Sequence, residues 1–157
     1  MVVKKRILKL NKKFQPSPIP AEEFYGGFLQ FNISAIISDI GTKKLLVQKK
    51  RIYLKKWFQE HSADFSVINQ EHLKSIDFST PVIQAEIRIQ KYEIIDGNHR
   101  MKKALDDGRT YINSYQILGE QLANYLLNKE QYESYVRYWN EKVENYIEDK
   151  SATYTAI

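Results

Sequence analysis

Five consecutive residues, Asp96, Gly97, Asn98, His99 and Arg100, have the types and spacing expected of a phosphate-binding turn. Arg100 can clamp two oxygens at once, and His99 can donate or accept a proton near neutral pH. Asp96 is a favourable turn or N-cap residue, and Gly97 places no Cβ in the turn. The chemistry that these residues predict is the binding of an anion, most often a phosphate.

The residues on either side predict a strand that enters this turn and a helix that leaves it. Ile94 and Ile95 form a β-branched strand end. Beyond the turn, three apolar residues recur at helical spacing: Met101, Ala104 and Leu105. Gly108 then ends the helix. A helix that begins in the turn would direct its first backbone N–H groups and its positive dipole end at the anion.

Two glutamates on a predicted hairpin ahead of the turn form a second candidate site. Strands are predicted over 82–89 and 92–95, with a turn at 90–91. Glu86 and Glu93 could then face one another and bind a divalent metal, or one of them could act as a base. Exposed hairpin glutamates are the commoner explanation. A two-histidine metal nuclease is not predicted, because His99 has no second histidine at a usable spacing.

Positive charge is concentrated at the start of the chain. Residues 1–60 contain 13 Lys/Arg and 4 Asp/Glu, whereas the whole chain has a net charge of +5. The pattern over 45–61 predicts a long helix with an apolar side that includes Ile52 and Trp57. Its other side carries the basic residues that we expect to contact a nucleic-acid backbone: Lys49, Lys50, Arg51 and Lys55. A solvated lysine face is the alternative.

The length is that of a single domain, and the predicted strands and helices lead into a C-terminal helical extension. We expect a basic N-terminal arm and connector over 1–27, the α+β domain over 28–118, and C-terminal helices packed on it over 119–150. Aromatic residues recur along those helices: Tyr125, Tyr132, Tyr135, Trp139 and Tyr146. At helical spacing they favour a core, with a homodimer seam or base stacking as alternatives.

The composition excludes several classes of site. The chain has no cysteine, so it contains no disulfide, no thiolate metal ligand and no cysteine nucleophile. Its apolar runs are too short to span a bilayer, and the basic start lacks the apolar run of a signal peptide. We therefore expect a cytoplasmic protein with no membrane partner.

The stretch from about residue 67 to residue 118 resembles the ParB/sulfiredoxin superfamily. The resemblance rests on 81–83, on the hairpin into 92–100, on the helix to Leu105 and on the strand 112–117. The segment 73–76 also resembles the one that precedes the first strand of that family. The resemblance implies an α+β core whose Gly-x-x-Arg turn binds the phosphates of a nucleotide or a nucleic acid.

By position, the resemblance makes Asp96, His99 and Arg100 the catalytic candidates and 97–100 the phosphate-binding residues. It implies a nucleoside triphosphate with Mg²⁺, for which Asp96 is a candidate ligand, and NTPase, kinase or nuclease chemistry; Glu86 is a candidate ligand from its place on the hairpin. Asn98 stands where sulfiredoxins have a cysteine, which argues against that reductase chemistry. The DNA-reading helix-turn-helix of the partition proteins has no counterpart. A non-catalytic DNA- or RNA-binding or regulatory module that uses the basic N-terminal half is the alternative.

Overall fold

The computed structural model describes residues 3–61 and 78–155. The predicted short helix that begins at Ile68, and the segment 73–76 that supports the family resemblance, lie outside these residues. The described residues divide into two compact units. Residues 3–46, 85–93 and 117–155 form what we call the terminal unit, and residues 47–61, 78–84 and 94–116 form the central unit.

The described part of the chain is α+β. Its strands are β1 (Phe24–Tyr25), β2 (Phe31–Asn32), β3 (Gln48–Tyr53), β4 (Val82–Arg88), β5 (Lys91–Asp96) and β6 (Tyr111–Ile117). Its α-helices are α1 (Ile33–Gly41), α2 (Leu54–Glu60), α3 (Asn98–Asp106), α4 (Gly119–Leu122) and α5 (Lys129–Thr155). Short 3-10 helices cover Val3–Arg6 and Ala123–Tyr125.

The main sheet has the strand order β3-β6-β4-β5, which leaves β3 at one edge. The chain passes from the central to the terminal unit within β4 and returns within β5. In the central unit β3 and β6 are antiparallel, with Ile52 opposite Ile112. One hydrophobic core joins strand and helix residues: Ile52, Leu54, Val82, Ile94, Met101, Ala104 and Ile112. Helices α2 and α3 therefore cover the face of the sheet to which Ile52 and Ile112 point.

The terminal unit is built around α5. Trp139 and Tyr135 are completely or almost completely buried, which confirms the prediction that the aromatic stripe forms a core. The N-terminal segment lies along this helix, because the Trp139 indole N–H donates to the Arg6 carbonyl over 2.9 Å. Farther along, the Phe14 and Tyr132 rings stack with centroids 4.1 Å apart.

One sequence-based element assignment was wrong. The long helix predicted over 45–61 is strand β3 followed by α2, because pairing with β6 outweighs the helical propensity of the lysines. Earlier in the chain, the short strand Phe31–Asn32 leads directly into α1. Asn32 caps α1, since its side-chain oxygen accepts from the Ala35 N–H over 2.9 Å. The hairpin, α3 and β6 match the predicted elements.

Candidate functional site: a phosphate turn and a basic sheet face

The predicted turn lies at the junction of β5 and α3, and it brings residues 96–100 together in the central unit. Ile94 and Met101 are buried on either side of the turn and fix the strand and the helix to the core. Gly97 has φ of 101°, a left-handed conformation that L side chains rarely adopt. Asn98 is exposed at the first position of α3.

Arg100 contacts the protein's own chain through three hydrogen bonds. Its Nη1 donates to the carbonyls of Thr80 at 2.8 Å and Pro81 at 3.0 Å, and its Nη2 donates to Asp96 Oδ2 at 2.9 Å. A guanidinium has five N–H donors, so these bonds use more than half of them. Arg100 thus ties the segment before β4 to the turn, a role that its sequence position does not suggest.

The backbone of the turn keeps the features that favour an anion. The first helical hydrogen bond of α3 runs from the Met101 N–H to the Gly97 carbonyl over 2.9 Å. Gly97, as the N-cap, has no side chain with which to cap the N–H groups of the first turn. His99 is half-buried beside them, with its Nδ1 atom buried. Donor N–H groups and a helix dipole therefore lie next to the exposed Asn98.

Glu86 lies in the terminal unit and makes a buried ion pair. Both of its oxygens accept from Arg6, and they also accept from the backbone N–H of Gly119 at 3.2 Å and of Gln90 at 2.8 Å. Glu86 is 1% exposed, and the Arg6 Nε also donates to Glu120 at 2.9 Å. A carboxylate with this many internal donors does not fit a Mg²⁺ ligand, so we propose no metal site that includes it.

The four predicted nucleic-acid-binding residues do not share a helical face. The prediction that they lie on one side of a single helix was wrong. Lys49, Lys50 and Arg51 lie on β3, and Lys55 lies on α2. Successive side chains of a strand point to opposite faces, so Lys49 and Arg51 share one face and Lys50 points to the other. All four are exposed.

Sequence reasoning missed the aromatic partners of these cations on β6. In the β3–β6 register Lys49 is opposite Tyr115, and Tyr53 is opposite Tyr111. The Lys49 Nζ is 6.0 Å from the centroid of the Tyr115 ring, and the Arg51 Cζ is 4.4 Å from that of the Tyr111 ring. These are cation–π distances. The signal that could have identified them is the alternation of Tyr111, Asn113 and Tyr115 along one strand.

A polar ladder behind this face holds the edge strand in place. The Ser114 Oγ donates to the Lys50 carbonyl over 2.8 Å, and the Gln84 Nε2 donates to the Ser114 Oγ over 2.8 Å. Ser114 is fully buried and Gln84 nearly so, which makes these bonds costly to break. They link β3, β6 and β4, so they hold in place the backbone of β3 that carries the exposed residues.

No protein-family model matches the chain, and no curated protein or solved structure is significantly similar to it. Within residues 3–61 and 78–155, no three His, Asp or Glu side chains are grouped so as to hold a metal ion. In the same residues, no helix combines the length and apolarity needed to cross a bilayer.

Proposed function

We propose that this chain binds nucleic acid through the basic residues of β3 and α2: Lys49, Lys50, Arg51 and Lys55. The observation that carries the proposal is an exposed edge strand with three consecutive cations, two of which lie over tyrosine rings. Lysines and arginines that contact phosphates release counterions from the nucleic acid, which supplies most of the free energy of such binding.

The test is the salt dependence of binding. We expect the affinity for a labelled oligonucleotide to fall steeply with salt, and the triple variant Lys49→Gln/Lys50→Gln/Arg51→Gln to bind weakly. If the three residues contact phosphates, the slope of log affinity against log salt should decrease by about 2 to 3. Fluorescence anisotropy over a salt series measures both quantities.

A matched control removes the same charge elsewhere. Lys4, Lys5 and Lys9 are also exposed and belong to the basic front of the sequence. Lys4→Gln/Lys5→Gln/Lys9→Gln should leave the slope near that of the wild type. Equal losses in both triple variants would show that net charge alone drives binding. Binding that does not depend on salt would reject the proposal.

A second candidate function is nucleotide binding at the turn, which the uncapped N-terminus of α3 favours. A relation to the ParB/sulfiredoxin superfamily, with NTPase, kinase or nuclease chemistry, remains a prediction. Nucleotide binding at the turn would agree with that relation. The backbone N–H groups of residues 98–100 and the His99 ring would bind the phosphates. Any Mg²⁺ would enter together with the nucleotide. The carboxylate closest in sequence to these N–H groups is that of Asp96, which already accepts a hydrogen bond from Arg100.

Asn98→Asp tests this candidate without removing a contact that holds the turn. A carboxylate at the first position of a helix stabilises the helix but repels a phosphate. We expect ATP, CTP, GTP or UTP, with or without Mg²⁺, to raise the melting temperature of the wild type and of Asn98→Ala. Asn98→Asp should keep its own melting temperature and lose the ligand-induced rise. No rise with any nucleotide in the wild type would exclude the candidate.

A further inference from the structure

Six side chains at the β3 edge of the central sheet share one of its faces, and we call them the tyrosine face: Lys49, Arg51, Tyr53, Tyr111, Asn113 and Tyr115. Directly paired residues of antiparallel strands point to the same side. The residues between them, Ile52 and Ile112, belong to the buried core. The tyrosine face is therefore opposite the side that α2 and α3 cover.

From this face we propose that the nucleic acid is single-stranded, with bases stacked on Tyr53, Tyr111 and Tyr115 and phosphates held by Lys49 and Arg51. The inference rests on the proposed function and adds the class of nucleic acid. A sheet face that combines aromatic rings with cations suits single strands, because unpaired bases can lie flat on the rings. Bases within a duplex are stacked on one another and offer no such surface.

The exposure of the aromatic rings distinguishes this proposal from a purely structural explanation. Lysines on an edge strand are well explained as protection against pairing with another chain. That explanation covers Lys49 and Lys50 but requires no aromatic ring. Tyr53 is 53% exposed, whereas Tyr111 opposite it and Tyr115 farther along β6 are partly buried. Tyr53 therefore offers the largest ring surface for a base to stack on, and Tyr111 and Tyr115 add smaller ring surfaces on the same face.

The spacing of the strand also favours an extended single strand. Tyr111 and Tyr115 are four residues apart on β6, so their side chains lie about 13 Å apart along the strand, at four times the rise per residue. Stacked nucleotides of a duplex repeat about every 3.4 Å along each strand, which is a much shorter step. A single strand can separate its bases and place one at each ring. Across the two strands the Tyr53 and Tyr111 centroids are 6.2 Å apart, which is also wider than the duplex step of about 3.4 Å.

The cations of the face are already placed to accompany the bases. Arg51 lies over Tyr111 at 4.4 Å, so its guanidinium can contact the phosphate of a nucleotide whose base lies on a neighbouring ring. Lys50 points to the other side of β3. It contributes to phosphate attraction but not to stacking. Charge and stacking are therefore separable by mutation.

The experiment compares an oligo-dT single strand with a duplex of the same length, by fluorescence anisotropy at one salt concentration. Tyr53→Ala is the main variant, because Tyr53 is the most exposed ring and its loss should least affect folding. We expect its affinity for the single strand to fall about five- to 150-fold, which corresponds to the loss of one stacked base. Its affinity for the duplex should stay unchanged, and Tyr53→Phe should bind like the wild type.

Phe28→Ala is the matched control, since Phe28 is an exposed aromatic residue of the terminal unit with 88% exposure. Its affinity for both probes should equal that of the wild type. Tyr53→Ala binding that is unchanged, or that falls equally for both probes, would overturn the stacking inference. The proposed function would survive that outcome if the triple charge variant still weakened binding. A wild type that binds neither probe would overturn both.

Discussion

Glu86 shows at the scale of one residue how burial determines what a carboxylate can do. The residue is 1% exposed, and its carboxylate oxygens accept hydrogen bonds from Arg6 and from two backbone N–H groups. Glu86→Gln keeps the size of the side chain but removes the charge that balances Arg6. We expect it to lower the free energy of unfolding by about 3 kcal/mol. This is the lower end of the range for a broken buried pair, because Glu120 still contacts Arg6.

Urea denaturation of the two proteins measures this difference. Glu141→Gln is the control, because Glu141 lies on α5 and is exposed. Its cost should stay below about 0.5 kcal/mol. A Glu86→Gln protein that is as stable as the wild type would contradict the structural role and would make Glu86 available again as a ligand.

The residues of the turn could be predicted from the sequence, but their partners could not. Asp96, Gly97 and Arg100 were identified because their types and order are unusual between an apolar strand and a helix. Two of the three acceptors of Arg100 are the backbone carbonyls of Thr80 and Pro81, a group that every residue type possesses. Backbone acceptors leave no mark on the sequence. The sequence alone therefore predicted that Arg100 binds phosphate, and it did not reveal that Arg100 binds the backbone of its own chain.

At the scale of elements, the β5–α3 junction depends on the absence of a side chain at Gly97. A Cβ there would lie 2.6 Å from the Val82 Cγ1 and 2.9 Å from the Arg100 Nη2, and φ is 101°. Both the contacts and the backbone conformation oppose Gly97→Ala. We expect it to lower the free energy of unfolding by more than about 1 kcal/mol. Thermal and urea denaturation measure the loss.

Gly41→Ala is the matched control for this change. Gly41 is the last residue of α1, and a Cβ at this position would meet no atom within 4 Å. Alanine favours helix over glycine, so the variant should be as stable as the wild type or slightly more stable. If both alanine variants behaved alike, close packing at the junction would not be the cause.

The elements that could be predicted are those whose apolar pattern matches their burial. Helix α3 is one, since Met101 and Ala104 are buried on its inner side. Strand β3 was misread because its first four residues are all polar and exposed, and Ile52 is its one buried residue. Its strand conformation comes from pairing with β6, a partner about 60 residues away in sequence. Such non-local pairing leaves no periodicity in the strand itself.

At the scale of the whole molecule, the positive charge of the first 60 residues is divided between the two units, and not all of it reaches the surface. Arg6 is buried in an ion pair with Glu86 and Glu120 in the terminal unit. Lys49 and Arg51 lie in the central unit on the tyrosine face. Net charge therefore identified the kind of partner we propose but not its position. A homodimer through the C-terminal helices remains a prediction, and the buried Tyr135 and Trp139 already serve the chain's own core.

Tyrosines of the terminal unit predict a loss of stability at alkaline pH. Burial, together with the adjacent Glu93 carboxylate, raises the pKa of Tyr25 from 10.0 to about 12. Burial also raises the pKa values of Tyr125 and Tyr135. Unfolded tyrosines lose their protons near pH 10, whereas the folded chain still holds them. The free energy of unfolding should therefore be maintained below pH 10 and should fall as the pH rises from 10 to 12.

Tyr125→Phe tests the cause of this decline, because the Tyr125 hydroxyl donates to Asp39 Oδ2 over 2.8 Å. The variant loses that hydrogen bond, so at neutral pH it should be less stable by about 1 kcal/mol. It also lacks one proton that the folded state holds more tightly than the unfolded state. Its stability should consequently fall less steeply between pH 10 and 12 in urea denaturation series. Parallel declines in the two proteins would show that ionisation of Tyr125 does not drive alkaline unfolding.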